Sequence, residues 1–267
     1  MTGARTLPIV ATMADPYATD AQFYDLVHEG QPGDDTGLWL SFAGRTDRPV
    51  LEVGTGTGRI AIALALAGHT VAAVDPSAAM LDIARRKAAD HDADIEFIQG
   101  RVTELALDGG RYGFVVVPAD VFLHCESGEE QVVVLHLLAE ALTFNGVLAV
   151  DLPGPALWLD PTTNGEALLV HTGFTADGER LDTWQLHEDD LAGQVRTLRV
   201  TYERTGADGL VRRSVSEHHL RYVYRFEIEY LLHLAGLALV DVYGDYELGA
   251  LTNDSERMIV LARRREG

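Results

Sequence analysis

The apolar and polar positions of the chain change their pattern partway along it. Between residues 49 and 151, short continuous apolar runs alternate with segments in which apolar residues recur at helical spacing. The runs predict strands at 49–53, 70–74, 95–98, 112–117 and 147–151, and the segments between them predict helices, the clearest at 59–67, 77–90 and 127–142. Continuous apolar strands are typical of a parallel sheet that is covered on both faces. This part of the chain therefore predicts a doubly wound α/β fold.

From about residue 165 to residue 224 the period of the pattern shortens to two. Strand-like segments at 166–173, 180–188, 194–204 and 210–223 are separated by the turn dipeptides Asp177-Gly178, Ala192-Gly193 and Asp208-Gly209. Alternation of β-branched and aromatic residues with charged ones is typical of an antiparallel sheet with one solvated face. A helix at 227–235 and strands at 237–243 and 258–262 then return to the α/β pattern.

These patterns divide the chain into three regions. Residues 1–48 predict an N-terminal helical cap, with an amphipathic segment from Asp15 to Gly30. Residues 49–160 and 225–267 predict the α/β core. Residues 161–224 predict an inserted antiparallel region that covers the substrate or forms a dimer surface, so a homodimer is one expected assembly.

Composition narrows the range of partners and locations. The 267 residues carry a formal net charge of −20, which repels a polyanion, so we expect no nucleic-acid substrate. No apolar run approaches the roughly 20 residues that cross a bilayer, and no basic-then-apolar leader precedes the cap. Together with the single cysteine, Cys125, these features predict a cytoplasmic protein without disulfides or membrane contact.

The most specific motif lies where the first strand gives way to the first helix, at Glu52-Val53-Gly54-Thr55-Gly56-Thr57-Gly58-Arg59. Glycines at alternate positions let the backbone adopt positive φ and approach a ligand, while the helix that follows presents free N–H groups. A dinucleotide loop would place its third glycine where Arg59 stands, and a phosphate loop would need a G-K-[ST] step that this motif lacks. The spacing therefore predicts a nucleotide cofactor of another kind.

Two acidic residues accompany this loop. Asp75 ends the second strand, about 20 residues after the loop, where a carboxylate accepts hydrogen bonds from ribose hydroxyls. It also stands at a helix start, where an ordinary acid is common. Glu52 lies inside an apolar strand, where a carboxylate is costly unless it is paired. Both acids are therefore predicted to serve the cofactor site.

The pattern E-x-G-x-G-x-G resembles motif I of the class I S-adenosylmethionine-dependent methyltransferases. The resemblance implies a seven-stranded Rossmann-like sheet, S-adenosyl-L-methionine as cofactor and S-adenosyl-L-homocysteine as product. The Tyr24-Asp25-Leu26 segment and the inserted sheet are similar to those of small-molecule methyltransferases of the natural-product and sugar-amine tailoring type. The residues that this resemblance assigns to the cofactor are Tyr24, Glu52, Gly54, Thr55, Gly56, Gly58, Arg59, Asp75, Pro76, Met80, Gly100, Arg101, Val102, Pro118, Ala119 and Leu123.

The end of the fourth strand predicts the reacting groups, since ligands bind at the carboxyl ends of parallel strands. His124 suits removal of a proton from a nucleophile near neutral pH, and Asp120 is predicted to orient it or to hold the amino group of the cofactor. The resemblance implies a small-molecule methyl acceptor with an N, O or C nucleophile. Candidate substrate contacts are Tyr17, Asp151, Trp158, His219 and Tyr222. No metal site is expected, because His218 and His219 point to opposite faces of one strand.

Two alternatives stay open. A Rossmann oxidoreductase would bind NAD through the same loop and acid, although the glycine spacing disfavours it. A non-catalytic module that binds S-adenosylmethionine would keep the loop and Asp75 without turnover. The presence of His124 and of the inserted sheet favours an enzyme.

Overall fold

The computed structural model describes residues 15, 17–28, 35–158 and 163–265, and the strands within them form two sheets. In chain order the strands are β1 (Val50–Val53), β2 (Val71–Asp75), β3 (Ile95–Gln99), β4 (Tyr112–Val117), β5 (Leu142–Pro153), β6 (Ala167–Phe174), β7 (Arg180–Asp190), β8 (Val195–Thr205), β9 (Val211–Arg221), β10 (Leu237–Tyr243) and β11 (Arg257–Arg264). The helices are α1 (Ala21–His28), α2 (Thr36–Ala43), α3 (Arg59–Leu66), α4 (Ala78–Asp90), α5 (Gly128–Ala141), α6 (Pro155–Trp158) and α7 (Arg225–Leu234). Short 3₁₀ helices span Val102–Glu104 and Val121–His124.

The larger sheet has seven strands in the order β10-β11-β5-β4-β1-β2-β3. Strands β1 to β5 are parallel, whereas β11 runs antiparallel to β5 and β10 runs antiparallel to β11. The predicted doubly wound, mostly parallel sheet is therefore confirmed. Because β1 lies between β2 and β4, the strand order reverses beside β1, and the loops after β1 and β4 meet at one edge. Open α/β sheets bind their ligands in the crevice at such a point.

Apolar side chains cover both faces of this sheet, as continuous apolar strands require. Leu51 of β1 belongs to a buried cluster with Leu135 of α5, and Val50 belongs to another with Trp39 of α2. Helix α2 was not predicted, because its sequence, TGLWLSFA, is largely apolar and lacks a polar face that would reveal a helical period. Trp39 is fully buried, so this short helix is fixed by packing rather than by its own propensity.

The smaller sheet is antiparallel, in the order β6-β7-β8-β9, which confirms the predicted antiparallel sheet within a few residues at each end. Its inner face buries Leu181, Val200 and Tyr202 against Phe23 and Val27 of α1. The N-terminal segment therefore packs on this sheet. The division of the chain into cap, core and inserted region stays a prediction.

Two predicted boundaries were wrong. Strand β5 begins at Leu142 rather than at residue 147, because an irregularity in the pairing with β4 takes up the residues between: Tyr112 pairs with Leu142, and Phe114 with Val147. The N-terminal helix begins at Ala21, since residues 17–20 form a turn. Its predicted end at Gly30 lies outside the described residues. Among the helices of the described ranges, none is long and apolar enough to cross a membrane.

Candidate active site

The glycine loop between β1 and α3 has the backbone geometry that its sequence predicts. Gly54, Gly56 and Gly58 have φ of 76°, 54° and 86°, which side chains disfavour. A Cβ on Gly54 would collide with Val121, so this glycine lets the loop after β4 pack against the loop after β1. A Cβ on Gly56 would meet no described atom within 4 Å. The loop therefore leaves open space beside Gly56 for a ligand.

Asp75 holds the glycine loop against the start of α4. Its Oδ2 accepts the Gly56 N–H and its Oδ1 accepts the Ser77 N–H, each at 2.8 Å. Burial raises the pKa of Asp75, and these two hydrogen bonds oppose the increase. Each carboxylate oxygen keeps a second lone pair. Asp75 can therefore brace the loop and still accept a hydrogen bond from a ligand hydroxyl.

Glu52 and Arg59 hold the glycine loop through contacts of their side chains. Glu52 is 1% exposed, and Thr55 donates its hydroxyl hydrogen to Oε2 at 2.8 Å. Burial raises the pKa of Glu52 to about 8, so this carboxyl is largely protonated at neutral pH. The Arg59 guanidinium pairs with Asp35 and donates to Thr36 Oγ1 at 3.0 Å. Arg59 thus ties the loop to the start of α2.

The loop after β3 contacts the site through its backbone. The Gly100 N–H donates to the Asp75 carbonyl at 3.1 Å, and Val102 is buried just beyond it. The Arg101 guanidinium donates to Glu130 at 2.6 Å, so this side chain is engaged with α5. Of the other predicted cofactor residues on this side, Met80 is buried on α4 and Pro76 is exposed.

The loop after β4 is strained and is held by ion pairs. Pro118 and Leu123 of this loop are buried, whereas Ala119 and Asp120 have positive φ of 48° and 65°, which is costly for residues other than glycine. The Ala119 N–H donates to Asp151 Oδ2 at 3.0 Å. Arg257 donates to Asp120 Oδ1 at 2.7 Å and to Asp151 Oδ1 at 2.6 Å. Burial raises the pKa of Asp151 to about 6, and the positive charge of Arg257 opposes the increase.

This arrangement corrects two predicted roles. Asp120 pairs with Arg257 rather than with His124, and the side chain that contacts His124 is Tyr17, through its hydroxyl. Asp151, predicted to contact the substrate, is fully buried and bonded to Arg257 and Tyr246, so it supports the loop instead. Arg257 was missed because it lies 137 residues beyond Asp120, a separation that no local motif reveals.

Tyr17, His124 and His218 form an aromatic cluster beside this loop. The Tyr17 hydroxyl lies 2.9 Å from Nε2 of His124, and the Tyr17 ring stacks on His218 with centroids 4.6 Å apart. Burial, with smaller contributions from His218 and Arg101, lowers the pKa of His124 to about 4. His124 is therefore an uncharged imidazole at neutral pH.

Tyr17 links this cluster to the cofactor loop. Burial raises the pKa of Tyr17 well above its ordinary value, and negative charge on Tyr24, Asp20, Asp75 and Asp120 raises it further. Asp15 joins the cluster and the loop in space: its Oδ1 accepts the Tyr17 N–H at 3.0 Å, and its Oδ2 accepts the Ser77 hydroxyl hydrogen at 2.9 Å, two residues after Asp75. The predicted ribose acid, the strained loop and the aromatic cluster thus surround one place.

Asp20 lies beneath the cluster, in the turn before α1. Its Oδ1 accepts the hydroxyl hydrogens of Tyr202 at 2.5 Å and Ser216 at 2.6 Å, and its Oδ2 lies 3.3 Å from Nε2 of His218. Burial alone would raise the pKa of Asp20, but hydrogen bonds from His218, Ser216 and Tyr202 outweigh it and lower the pKa. Asp20 is thus a buried, charged carboxylate that joins the N-terminal segment to β8 and β9.

The remaining substrate candidates lie in different surroundings. Strand alternation turns His218 toward Tyr17, and the candidate His219 is exposed instead, so the histidine of this pair that reaches the cluster is His218. Tyr222 is buried, with its ring 5.6 Å from that of Tyr224. The side chain of Trp158 lies outside the described residues. His218 could have been selected from the sequence only by knowing which face of β9 is covered.

A cleft of about 1580 Å³ opens beside the two loops, and its lining includes Tyr24, Thr57, Asp120, Tyr246 and Arg257. Ligand pockets commonly measure about 300–1,000 Å³, so this cleft has room for a nucleoside and a second molecule. Over the described ranges, no group of three or more His, Cys, Asp or Glu side chains is arranged to hold a metal ion.

Known proteins are similar to this chain in sequence and in fold. Residues 50–146 match the methyltransferase domain family. The chain is 28% identical over 257 residues to the cypemycin N-terminal methyltransferase of a Streptomyces species, which covers 94% of this chain and 100% of that protein. The CcbJ methyltransferase from Streptomyces caelestis is 27% identical, with a TM-score of 0.77 over 94% of this chain and 100% of that one. SAM-bound CalS10, an amino pentose methyltransferase from Micromonospora echinaspora, is 18% identical and shares the fold, with a TM-score of 0.67 over 91% and 97% of the two chains.

The family match runs from β1 into β5 and so contains the glycine loop, Asp75 and His124. The sheet order, the loop geometry and these relatives all agree with the resemblance carried by E-x-G-x-G-x-G. Residues 50–146 thus carry a methyltransferase domain, and the chain as a whole is similar in sequence and fold to class I methyltransferases of the small-molecule type.

Proposed function

We propose that the protein transfers a methyl group from S-adenosylmethionine to an amine nitrogen of a small molecule. The observation that carries the proposal is the Tyr17–His124 pair, 2.9 Å apart, with Tyr17 joined through Asp15 to Ser77 beside Asp75. The acceptor class is supported by relatives that are named an N-terminal methyltransferase, an amino pentose methyltransferase and a sugar N-methyltransferase.

The residues of the loop fit this cofactor. Gly56 leaves open space beside the Asp75 carboxylate, whose remaining lone pairs suit ribose hydroxyls, and α3 begins directly after the loop. Bound here, the cofactor would supply a methyl group on a sulfonium sulfur, and the carbon–sulfur electron pair would stay with that sulfur.

The aromatic cluster suits an amine acceptor. An amine attacks only through a free lone pair, so the site must favour its neutral form over the ammonium ion. Because the pKa of His124 is about 4, its imidazole is uncharged and can share hydrogen bonds with a neutral amine. Burial disfavours an unpaired positive charge on the acceptor as well. His124 and Tyr17 would therefore orient the nitrogen, and in a displacement of this kind orientation supplies much of the rate.

Transfer of labelled methyl groups tests the proposal. The protein is incubated with S-adenosylmethionine carrying a radioactive methyl group and with glucosamine, glycine or a short peptide that has a free N-terminus. Each amine is paired with its N-acetylated form as the matched control. We expect label on at least one free amine and none on its acetylated partner. Equal labelling of the acetylated partners, or no labelling of any amine, would contradict the amine proposal.

His124→Ala separates turnover from cofactor binding. We expect turnover of the labelled amine to fall by roughly 100-fold, in the range that a positioned hydrogen-bonding side chain contributes. The affinity for S-adenosylhomocysteine, measured by calorimetry, should change little, because the glycine loop and Asp75 are untouched. Equal losses in both quantities would assign His124 to the cofactor site instead.

A further inference from the structure

A second buried histidine, His218 of β9, adjoins the Tyr17–His124 pair. It is 5% exposed, and its ring centroid lies 4.6 Å from that of Tyr17 and 6.0 Å from that of His124. Its Nδ1 is fully buried and has no hydrogen-bond partner among the described residues. A buried polar atom without a partner costs free energy, so a ligand that donates a hydrogen bond to Nδ1 would be favoured.

Asp20 favours one nitrogen of His218 as the carrier of a proton. A charged carboxylate attracts a hydrogen rather than a lone pair, and Asp20 Oδ2 lies 3.3 Å from Nε2 without a hydrogen bond of good geometry, so a hydrogen on Nε2 is favoured over one on Nδ1. Tyr202 and Ser216 donate to the other oxygen of Asp20 and keep the carboxylate in place. Neutral His218 therefore has its free lone pair on Nδ1, the atom without a partner.

We infer that His218, oriented by Asp20, accepts the proton that the methyl acceptor releases. This inference rests on the proposed methyl transfer to an amine and names the residue that completes it. When the amine nitrogen forms its bond to the methyl carbon, it gains a positive charge and sheds one proton. The N–H electron pair stays on nitrogen, the proton moves to Nδ1, and the resulting imidazolium is neutralised by Asp20.

His124 and His218 have different surroundings and therefore suit different roles. His124 contacts the Tyr17 hydroxyl through Nε2, and burial lowers its pKa to about 4. His218 has the buried Asp20 carboxylate 3.3 Å from Nε2, which can neutralise a positive charge on the ring. His124 is therefore suited to orient the acceptor, and His218 to hold its proton.

Nitrogen NMR of the full chain tests the protonation state directly. The protein is labelled with ¹⁵N-histidine, saturated with S-adenosylhomocysteine and measured near pH 7.5, with His218 assigned from the signals lost in His218→Gln. We expect hydrogen on Nε2 and none on Nδ1. Addition of the amine that the wild-type protein methylates best should shift the Nδ1 signal. Hydrogen on Nδ1, or an Nδ1 signal that the amine leaves unchanged, would overturn the inference.

Paired substitutions test the chemistry with the same amine. His218→Gln can keep a contact with Asp20 but lacks a basic nitrogen, and we expect its kcat to fall by roughly 100-fold. His218→Asn retains a hydrogen-bonding atom near the Nδ1 position, so its KM for the amine should rise less than that of His218→Gln, although its kcat falls too. His219→Asn, on the exposed face of the same strand, is the matched control and should behave as the wild type.

The pH profile distinguishes a proton acceptor from a structural side chain. The dependence of kcat on pH should differ between the wild type and His218→Gln, because only the wild type has a proton acceptor at this position. The titratable groups around His218 are Asp20, Tyr17, Tyr202 and His124, and each is present in both proteins.

Wild-type kcat in His218→Gln, or equal losses of kcat and of S-adenosylhomocysteine affinity, would overturn the inference. If the wild type transfers no methyl group, the proposed function is contradicted instead. The tautomer of His218 is measured without an acceptor, so that result does not depend on the proposed function.

Discussion

At the scale of single residues, a side chain was predictable from the sequence when its partners are close in the chain. Gly56 and Asp75 are 19 residues apart and belong to one strand–loop–helix–strand unit, so their pairing follows from the motif. Asp20 reaches Ser216 across 196 residues, and Asp120 reaches Arg257 across 137. These pairings depend on how the two sheets and the N-terminal segment pack together, and local sequence patterns do not encode that packing.

Asp75→Asn should weaken binding of S-adenosylhomocysteine by roughly 10- to 100-fold. The substitution removes the charge from the hydrogen bonds to the Gly56 and Ser77 N–H groups and to a ligand hydroxyl, and charged hydrogen bonds contribute about 1.5–3 kcal/mol. Calorimetric titration measures the change. Asp82→Asn, at an exposed position on α4, is the control and should bind as the wild type does. Unchanged affinity in Asp75→Asn would remove this residue from the cofactor site.

Glu52→Gln should make stability less sensitive to rising pH. The pKa of Glu52 is raised by burial to about 8 in the folded chain and is ordinary in the unfolded chain, so the folded state holds the extra proton between about pH 4.5 and pH 8. The stability from the protonated group is complete below this window and is lost as the pH rises through it, at up to about 1.4 kcal/mol per unit. Glutamine cannot lose a proton, so this slope should disappear.

Urea unfolding at pH 5.5 and pH 7.5 measures that slope. Glu166→Gln, at an exposed position before β6, is the matched control and should keep the wild-type dependence. A wild-type slope in Glu52→Gln would mean that Glu52 is ionised in the folded protein.

At the scale of the elements, the sequence predicted the strands of the smaller sheet more accurately than the loops. The four segments of the smaller sheet were located within a few residues, because period-two patterns and turn dipeptides mark them. Alternation also required His218 and His219 to face opposite sides, but only the packing of Tyr17 identifies the side that matters. The loop after β4 could not be predicted, since the positive φ of Ala119 and Asp120 is imposed by Asp151 and Arg257.

Arg257→Ala tests the support of that loop. It would leave Asp151 fully buried and Asp120 without its cation, and removal of one partner from a buried ion pair costs about 3–5 kcal/mol. We expect a loss of this size in urea unfolding. Arg263→Ala, exposed on the same strand, is the control and should cost little. A small effect of Arg257→Ala would mean that the loop holds its strained conformation without the ion pairs.

At the scale of the whole molecule, the fold joins a cofactor half, built on the larger sheet, to a proposed acceptor half, built on the smaller one. The parallel strands and the glycine loop predicted the sheet class and its ligand edge, because continuous apolar strands and glycine spacing have few structural solutions. The acceptor half arises where the N-terminal turn meets β8 and β9, through Asp20, Tyr202 and His218. Two distant parts of the chain build it, so the sequence predicted His124 but neither the carboxylate nor the second histidine.

The central claim is that the loop from Gly54 to Gly58 and Asp75 form a site for S-adenosylmethionine rather than for a dinucleotide. Calorimetric titration of the full chain with S-adenosylhomocysteine, and in parallel with NAD, tests it most directly. We predict one site per chain with a micromolar or tighter Kd for S-adenosylhomocysteine, equivalent to about 8 kcal/mol or more, and no measurable heat with NAD. Binding of NAD, or the absence of binding by S-adenosylhomocysteine, would contradict the account.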